Sequence, residues 1–396
     1  MLFFGDIHIT SKHAAHIISN INESVNMMPD EKNIIFLGDY VYHFTYDRKA
    51  LLQLFSCFID LTKQGKNVYI VAGNHDWIAD HFVFEEAKQT VQLVDNPRIF
   101  FITQPRETTI EGIDCLFLPF FKPSVTVFDH DYYPELKENP HPGVQTSRQI
   151  NNILQGYIQN NIKKRLLIHH RYIANTPFPG QQAQFSYSSP ALDPALLDNP
   201  MLTVISGHLH APFGYKNYLC AGSVRHTSPL EINQQKFVFR LDEKTYEMTA
   251  IPMHYNPYLQ INSPDEPLSK DSIINILKKN HQHALDNLSQ GLWNVTSTLP
   301  IWENLQHTTI TLLSSTHDQN LIANAIPELL RQELGPIKQK IQITNNESLF
   351  ADLTTASLDL KNRFTDRKFL LRQFLQEKYG EQSSRYIILL EEEKIL

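Results

Sequence analysis

Asp6-Ile7-His8, Gly38-Asp39, Gly73-Asn74-His75-Asp76, His169-His170 and Gly207-His208-Leu209-His210 are the groupings of this sequence best suited to chemistry. They offer carboxylates, one amide oxygen and several imidazoles, and no thiolate. Oxygen and imidazole donors favour manganese, iron or zinc over copper(I) or an iron–sulfur cluster. The donors exceed what one ion needs and suit two ions about 3.5–4 Å apart that share a carboxylate. Two divalent cations, two aspartates and a bridging hydroxide sum to roughly one positive charge, matched to the single negative charge of a phosphodiester. The chemistry that this set suits is hydrolysis of a phosphate ester by a metal-bridging hydroxide.

Such donors must be brought together, and the sequence supplies the means. Each grouping follows a short apolar run that reads as a strand: Leu2-Phe4, Asn33-Leu37, Val68-Ala72, Leu166-Ile168 and Leu202-Ile205. Cys115-Leu118 and Lys236-Leu241 read as strands too. Between the second and third runs, Leu51, Leu54, Phe55 and Phe58 recur at helical spacing, and Gly65 marks a stop. Strand–helix–strand order implies an α/β fold with a partly parallel sheet. In such sheets ligands bind beyond the carboxyl ends of the strands, where all five groupings fall.

Composition narrows the class. The 396 residues carry a formal charge of -7, which excludes a general basic coat for nucleic acid but leaves room for a local cleft. Cys57, Cys115 and Cys220 are isolated, so a disulfide framework or a CxxC zinc knuckle is excluded, and a reducing, cytoplasmic compartment is expected. No apolar run reaches membrane-spanning length, and no membrane partner is expected. His13 and His16 suit the surface. His281 and His283, two apart on a helix, face apart and cannot chelate together.

DxH, GD, GNHD, a histidine after a strand and GHxH, in this order over residues 6–210, resemble the calcineurin-like metallophosphoesterase superfamily. The resemblance implies a four-layer αββα sandwich. It also implies that Asp6, His8, Asp39 and His210 bind one ion, and Asp39, Asn74, His169 and His208 the other. Of the two adjacent histidines, His169 is chosen because it follows the strand directly. His75 resembles the non-ligand histidine that meets the phosphate and protonates the leaving oxygen. Asp76 is expected to orient its loop, and Arg225 to line the cleft.

Further segments resemble SbcD-type nucleases of DNA double-strand-break repair and recombination. These are "GIDCLFLPFF", "LCAGSVRHTSPLEINQQKFVFRLD", with Ala221 where proline is usual, and "MHYNPYLQI". The resemblance implies a nuclease domain over 1–255, a smaller α+β capping domain that contacts DNA over 256–350, and a helical segment over 351–396 that grips an SMC-like ATPase. It further implies two divalent ions, manganese first and magnesium, iron or zinc as alternatives, and a homodimer. Two features depart from that pattern. Tyr42 stands where many such nucleases have a histidine, with His43 one position on, and Ile9-Thr10 follows DxH in place of Leu-Gly. A diverged nuclease, such as the phage recombination branch acting in a host cytoplasm or nucleoid, accommodates both. A phosphatase or phosphodiesterase of the same superfamily, acting on small molecules or phosphoproteins, is the alternative.

In the region after 256, "DSIINILKKNHQHALDNLSQG" reads as a helix capped by Asp271 or Ser272. "HTTITLLSS" and "KQKIQIT" read as strands on either side of a helix that contains Pro327.

Overall fold

A computed structural model describes most of residues 1–341. Residues 121–141, 178–190 and 342–396 lie outside the described residues, with shorter breaks such as 43–46, 89–95, 254–257 and 298–304. The chain opens with β1 (Leu2–Phe4), α1 (Ala14–Met27), β2 (Asn33–Phe36), α2 (Arg48–Lys63) and β3 (Asn67–Val71). Then come β4 (Ile99–Ile102), β5 (Arg106–Ile110), β6 (Ile113–Leu118), α3 (Pro142–Gln159), β7 (Arg165–His169) and β8 (Leu202–Ser206). β9 (Phe213–Tyr215), β10 (Tyr218–Cys220), β11 (Phe237–Leu241) and β12 (Met248–Pro252) follow. The last described elements are β13 (Tyr258–Asn262), α4 (Lys270–Leu288), β14 (Val295–Ser297), β15 (Thr309–Ser314), α5 (Leu321–Ala325), α6 (Glu328–Arg331) and β16 (Ile337–Ile341).

Two large mixed sheets result. The first has seven strands in the order β14-β12-β11-β1-β2-β3-β4, the second six in the order β9-β10-β8-β7-β6-β5. β1 to β4 run parallel, as do β6, β7, β8 and β10, so their carboxyl ends gather at common edges.

Strand alternation explains the layering, because neighbouring side chains point to opposite faces. Phe3, Ile35, Leu37, Tyr69 and Val71 pack with Phe117, Leu166, Ile168, Ile205 and Leu219 between the sheets. Leu2, Phe4, Ile34, Phe36, Val68 and Ile70 face outward onto Ile17 and Ile21 of α1 and Leu54 and Phe58 of α2. On the opposite outside, Leu116, Leu167 and Val204 meet Ile150, Leu154 and Tyr157 of α3. The order is helix, sheet, sheet, helix, as the four-layer expectation has it. Asp47 caps α2 by accepting from Ala50 N, 3.1 Å away.

A smaller core lies beyond β12, where Leu259, Ile273, Leu277, Ile310, Leu312 and Ile326 pack together. α4 belongs to both cores, since Ala284 and Leu288 at its far end sit in the inter-sheet core. Its cap is Ser269, not Asp271 or Ser272. The Ser269 hydroxyl accepts from Ser272 N and the Ser272 hydroxyl accepts from Ser269 N, a reciprocal pair that closes the first turn. The helix around Pro327 is broken there into α5 and α6, since proline lacks the N–H that would continue the ladder. Residues 1–312 and 319–339 form one compact unit, and the second unit, 313–318 with 340–396, falls almost wholly outside the described residues.

Candidate metal centre

The five groupings converge. The loop after β1 brings Asp6 and His8, the loop after β2 brings Asp39, the turn after β3 brings Asn74 and His75, and the loop after β8 brings His208 and His210. Close approach is built in by glycine. A Cβ at Gly73 would lie 2.2 Å from Asp39 N, and one at Gly38 2.5 Å from the His170 ring, so neither loop tolerates a side chain there. Three donor residues hold left-handed backbone, His8 at φ 45°, Asp39 at 52° and His208 at 80°. Such conformations cost of order 1–3 kcal/mol each and persist where surrounding bonds over-determine them.

Those bonds can be named. His8 N and Ile7 N both donate to Asp39 O, His208 N donates to Asp6 Oδ1 at 2.9 Å, and His75 N donates to Asp39 Oδ1 at 2.9 Å. Asp76 is buried and gathers backbone N–H groups of both loops: Gly73 at 2.7 Å, Asp39 at 2.9 Å, Tyr40 at 2.6 Å and Val41 at 3.4 Å. These bonds tie the loop after β2 to the turn after β3. Arg225 donates to His8 O from Nε and Nη2 and to His226 O from Nη1, so it clamps the His8 backbone beside the site. His43 lies outside the described residues. Tyr42 sits edge-on to His8, with ring centroids 5.7 Å apart.

Two clusters of donors form. Asp6, His8 and His210 make one, and Asp39, His170 and His208 the other, each with ligand atoms within 4.8 Å of one another. Asn74 joins the second, its Oδ1 lying 2.6 Å from His208 Nδ1 and 3.1 Å from His170 Nε2. Asp39 faces both clusters, with Oδ1 3.2 Å from His170 Nε2 and Oδ2 3.9 Å from His8 Nε2. His75 stands at the rim, with Nε2 3.7 Å from Asp39 Oδ2 and its side chain about one-fifth exposed (21%).

The histidine chosen from the sequence is corrected. His169 ends β7 facing the outer side of its sheet, where its ring stacks on Tyr218 at 5.9 Å and its Nδ1 accepts from Arg171 N. Burial there pushes its pKa down to about 3. His170 enters the site in its place. Nδ1 of His170 donates to Leu37 O at 2.6 Å, which turns Nε2 toward Asp39 and Asn74.

The donors fit metal ions. His8 Nδ1 donates to Val41 O, and His210 Nδ1 is paired with the Glu231 carboxylate at 2.9 Å, so both Nε2 lone pairs face inward. Those two nitrogens lie 3.0 Å apart, and the buried Asp6 Oδ2 beside them has no hydrogen-bond partner among the described residues. Lone pairs brought this close are repulsive without a cation between them. The second cluster shows the same need. Burial alone would lower the pKa of His170, yet attraction to Asp39 and Asp6 lifts it to about 9. In the first cluster, burial, with the neighbouring Asp39 charge, raises Asp6 to about 7. In the absence of metal, protons meet the demand that divalent ions meet when bound.

Residues 1–212, more than half of the chain, match the family described as calcineurin-like phosphoesterase. The chain belongs to that family. A comparison with curated proteins returned no match. The calcineurin-like fold and the paired donor clusters make this a metallophosphoesterase-type hydrolase with a two-ion site. Among the described residues no helix is long and apolar enough to cross a membrane.

Two residues behind the site were given no role in the sequence reading. Glu231 and Lys236 are buried behind His210, although both lay within a segment noted for its resemblance. Spacing alone gave no signal, because the two partners stand 21 positions apart with β9 and β10 between them.

Proposed function

We propose that this chain is a manganese-dependent DNA nuclease, the hydrolytic subunit of a repair or recombination complex with an SMC-like ATPase. The observation that carries the hydrolytic part is Asp39, whose two oxygens face separate donor clusters. That is the arrangement of a bridging carboxylate. Asp6, His8 and His210 would hold one ion, and Asn74, His170 and His208 the other. Bound there, the ions would supply Lewis acidity and lower the pKa of a water to near neutral.

The protein's own groups do the rest. The carboxylates and imidazoles fix where a phosphodiester can sit. In hydrolysis a water oxygen bonds to phosphorus and releases a proton to solvent, the bond from phosphorus to the 3′ oxygen breaks, and the departing oxygen takes a proton from His75 Nε2, which solvent restores. The rim position of His75, partly exposed and beside Asp39 Oδ2, suits that role. Its ring lies edge-on to His8 with centroids 5.4 Å apart, which limits its swing.

DNA as substrate is supported by the segments from residue 112 onward that resemble SbcD-type nucleases, among them the one that carries Arg225, Glu231 and Lys236 to the site. The ATPase contact is proposed for 351–396, and a homodimer completes the assembly. The test is degradation of end-labelled linear duplex DNA by the purified chain with manganese, with magnesium and with a chelator, and with His75→Leu as control. Manganese-dependent cleavage that His75→Leu loses supports the proposal. Ion-loaded protein that leaves DNA intact but turns over small phosphodiesters or phosphopeptides would establish the phosphatase alternative instead.

A further inference from the structure

His8 and His170 each steady their outward nitrogen on a backbone carbonyl, whereas His210 leans on a charged side chain. Its Nδ1 lies 2.9 Å from Glu231 Oε1 and 2.7 Å from Thr227 Oγ1. The Thr227 hydroxyl in turn donates to that same Glu231 oxygen, which leaves the threonine oxygen as an acceptor toward the ring. A bare Nδ1 would set its lone pair against the carboxylate, so the proton belongs on Nδ1 and the lone pair on Nε2, facing Asp6 and His8.

The other Glu231 oxygen is equally engaged. Lys236 Nζ donates to Oε2 at 2.6 Å, and Ser223 Oγ lies 2.8 Å from it. Lys236 is fully buried and also donates to the backbone oxygen of His210 at 2.9 Å, beside Ser223 N, which donates to the same oxygen at 3.1 Å. Ring and backbone of His210 are thus held by one buried pair. Buried ion pairs of this kind contribute little to net stability, so its placement behind His210 points to another use.

We propose that Glu231, braced by Lys236, is the positioning residue that fixes His210 as an Nε2 ligand, and so sets the ion affinity of the Asp6–His8–His210 cluster without touching the other cluster. The inference rests on the two-ion reading. Carboxylates behind metal-bound histidines fix ring orientation and raise ligand basicity, and their loss typically lowers metal affinity 10–100-fold.

The test is calorimetric titration of manganese chloride into the metal-free full-length chain. Wild type is compared with E231M/K236M, which removes the acceptor without leaving a buried charge unpaired. It is also compared with E231Q/K236M, which restores a neutral acceptor. Wild type binding two ions is the premise, and fewer would overturn the two-ion reading itself. With the premise met, E231M/K236M should weaken one of the two sites by about 10–100-fold and leave the other unchanged, and E231Q/K236M should recover most of that loss. Unchanged affinities, or equal weakening of both sites, would overturn the positioning role. A measurement on wild type stands apart from whether the variants fold. Histidine ¹⁵N spectra of the zinc-loaded chain should show His210 coordinated through Nε2 with the proton on Nδ1, and coordination through Nδ1 would overturn the proposal.

Discussion

Asp76 makes no contact that a catalytic reading requires, yet its replacement by asparagine should be costly. Its Oδ2 accepts from Gly73 N and Asp39 N, and its Oδ1 from Tyr40 N and, at longer range, Val41 N. Asparagine keeps one oxygen and turns the other corner into an NH2 group that meets donors. Whichever way the amide sits, two buried N–H groups lose their acceptor. At about 1–3 kcal/mol for each orphaned donor, the loss is about 2–6 kcal/mol, toward the lower end if the weak Val41 bond is one of the two. Relief of repulsion between Asp76 and Asp39 offsets part of this in the metal-free protein. Bound ions already neutralise Asp39, so the offset vanishes and the full loss emerges when the site is loaded. Urea unfolding of wild type and Asp76→Asn, chelated and with saturating manganese, measures both. The gap between the two proteins should be present in chelator and wider with manganese. An unchanged midpoint in both conditions, or a wider gap in chelator, would show that Asp76 does not hold the two loops in this way.

Other outcomes follow from the same geometry. His75→Leu should bind two ions and DNA as wild type does while cleavage falls by a factor of about 10²–10⁴, the usual span for loss of a general acid; Asp39→Asn should lose ion binding as well, and metal analysis beside the cleavage assay separates the two. His170→Ala should abolish one ion site, whereas His169→Ala should keep both, as counted by metal analysis after desalting. With His170 raised to about 9, its proton helps the metal-free fold fully below about pH 6.5 and that help fades as pH rises through about 9. An ion needs the same lone pair, so manganese affinity should fall by up to about tenfold per pH unit below 9, with proton release detectable by titration in buffers of different ionisation enthalpy. Affinity independent of pH between 6 and 9 would contradict the assignment of His170.

Much of the site was legible because it depends on strand ends, and strand ends depend on local apolar runs. Leu2-Phe4 and Leu202-Ile205 matched their strands within a residue, and their polar followers landed where an α/β sheet delivers ligands. The histidine pair was misjudged by using nearness to the strand in place of its face. Leu166 and Ile168 point between the sheets, and alternation continues that direction to His170, not His169. β4, β5, β9, β10 and β12 carried no signal strong enough to announce them. Their register comes from neighbours far along the chain, as when β12 pairs with β11 and then with β14. The contact of Glu231 was hidden for the same reason, since its partner His210 becomes a neighbour only once β9 and β10 have folded back. The amphipathic run after 364, with Leu371, Phe374, Leu375 and Tyr379, lies outside the described residues.

The proposed centre depends on one carboxylate shared between two ions. Electron paramagnetic resonance of the chain titrated with manganese tests it most directly. At two ions per chain a shared Asp39 gives an exchange-coupled spectrum, which Asp39→Asn abolishes. Saturation at one ion, or two ions that give only the signal of isolated manganese, would contradict it.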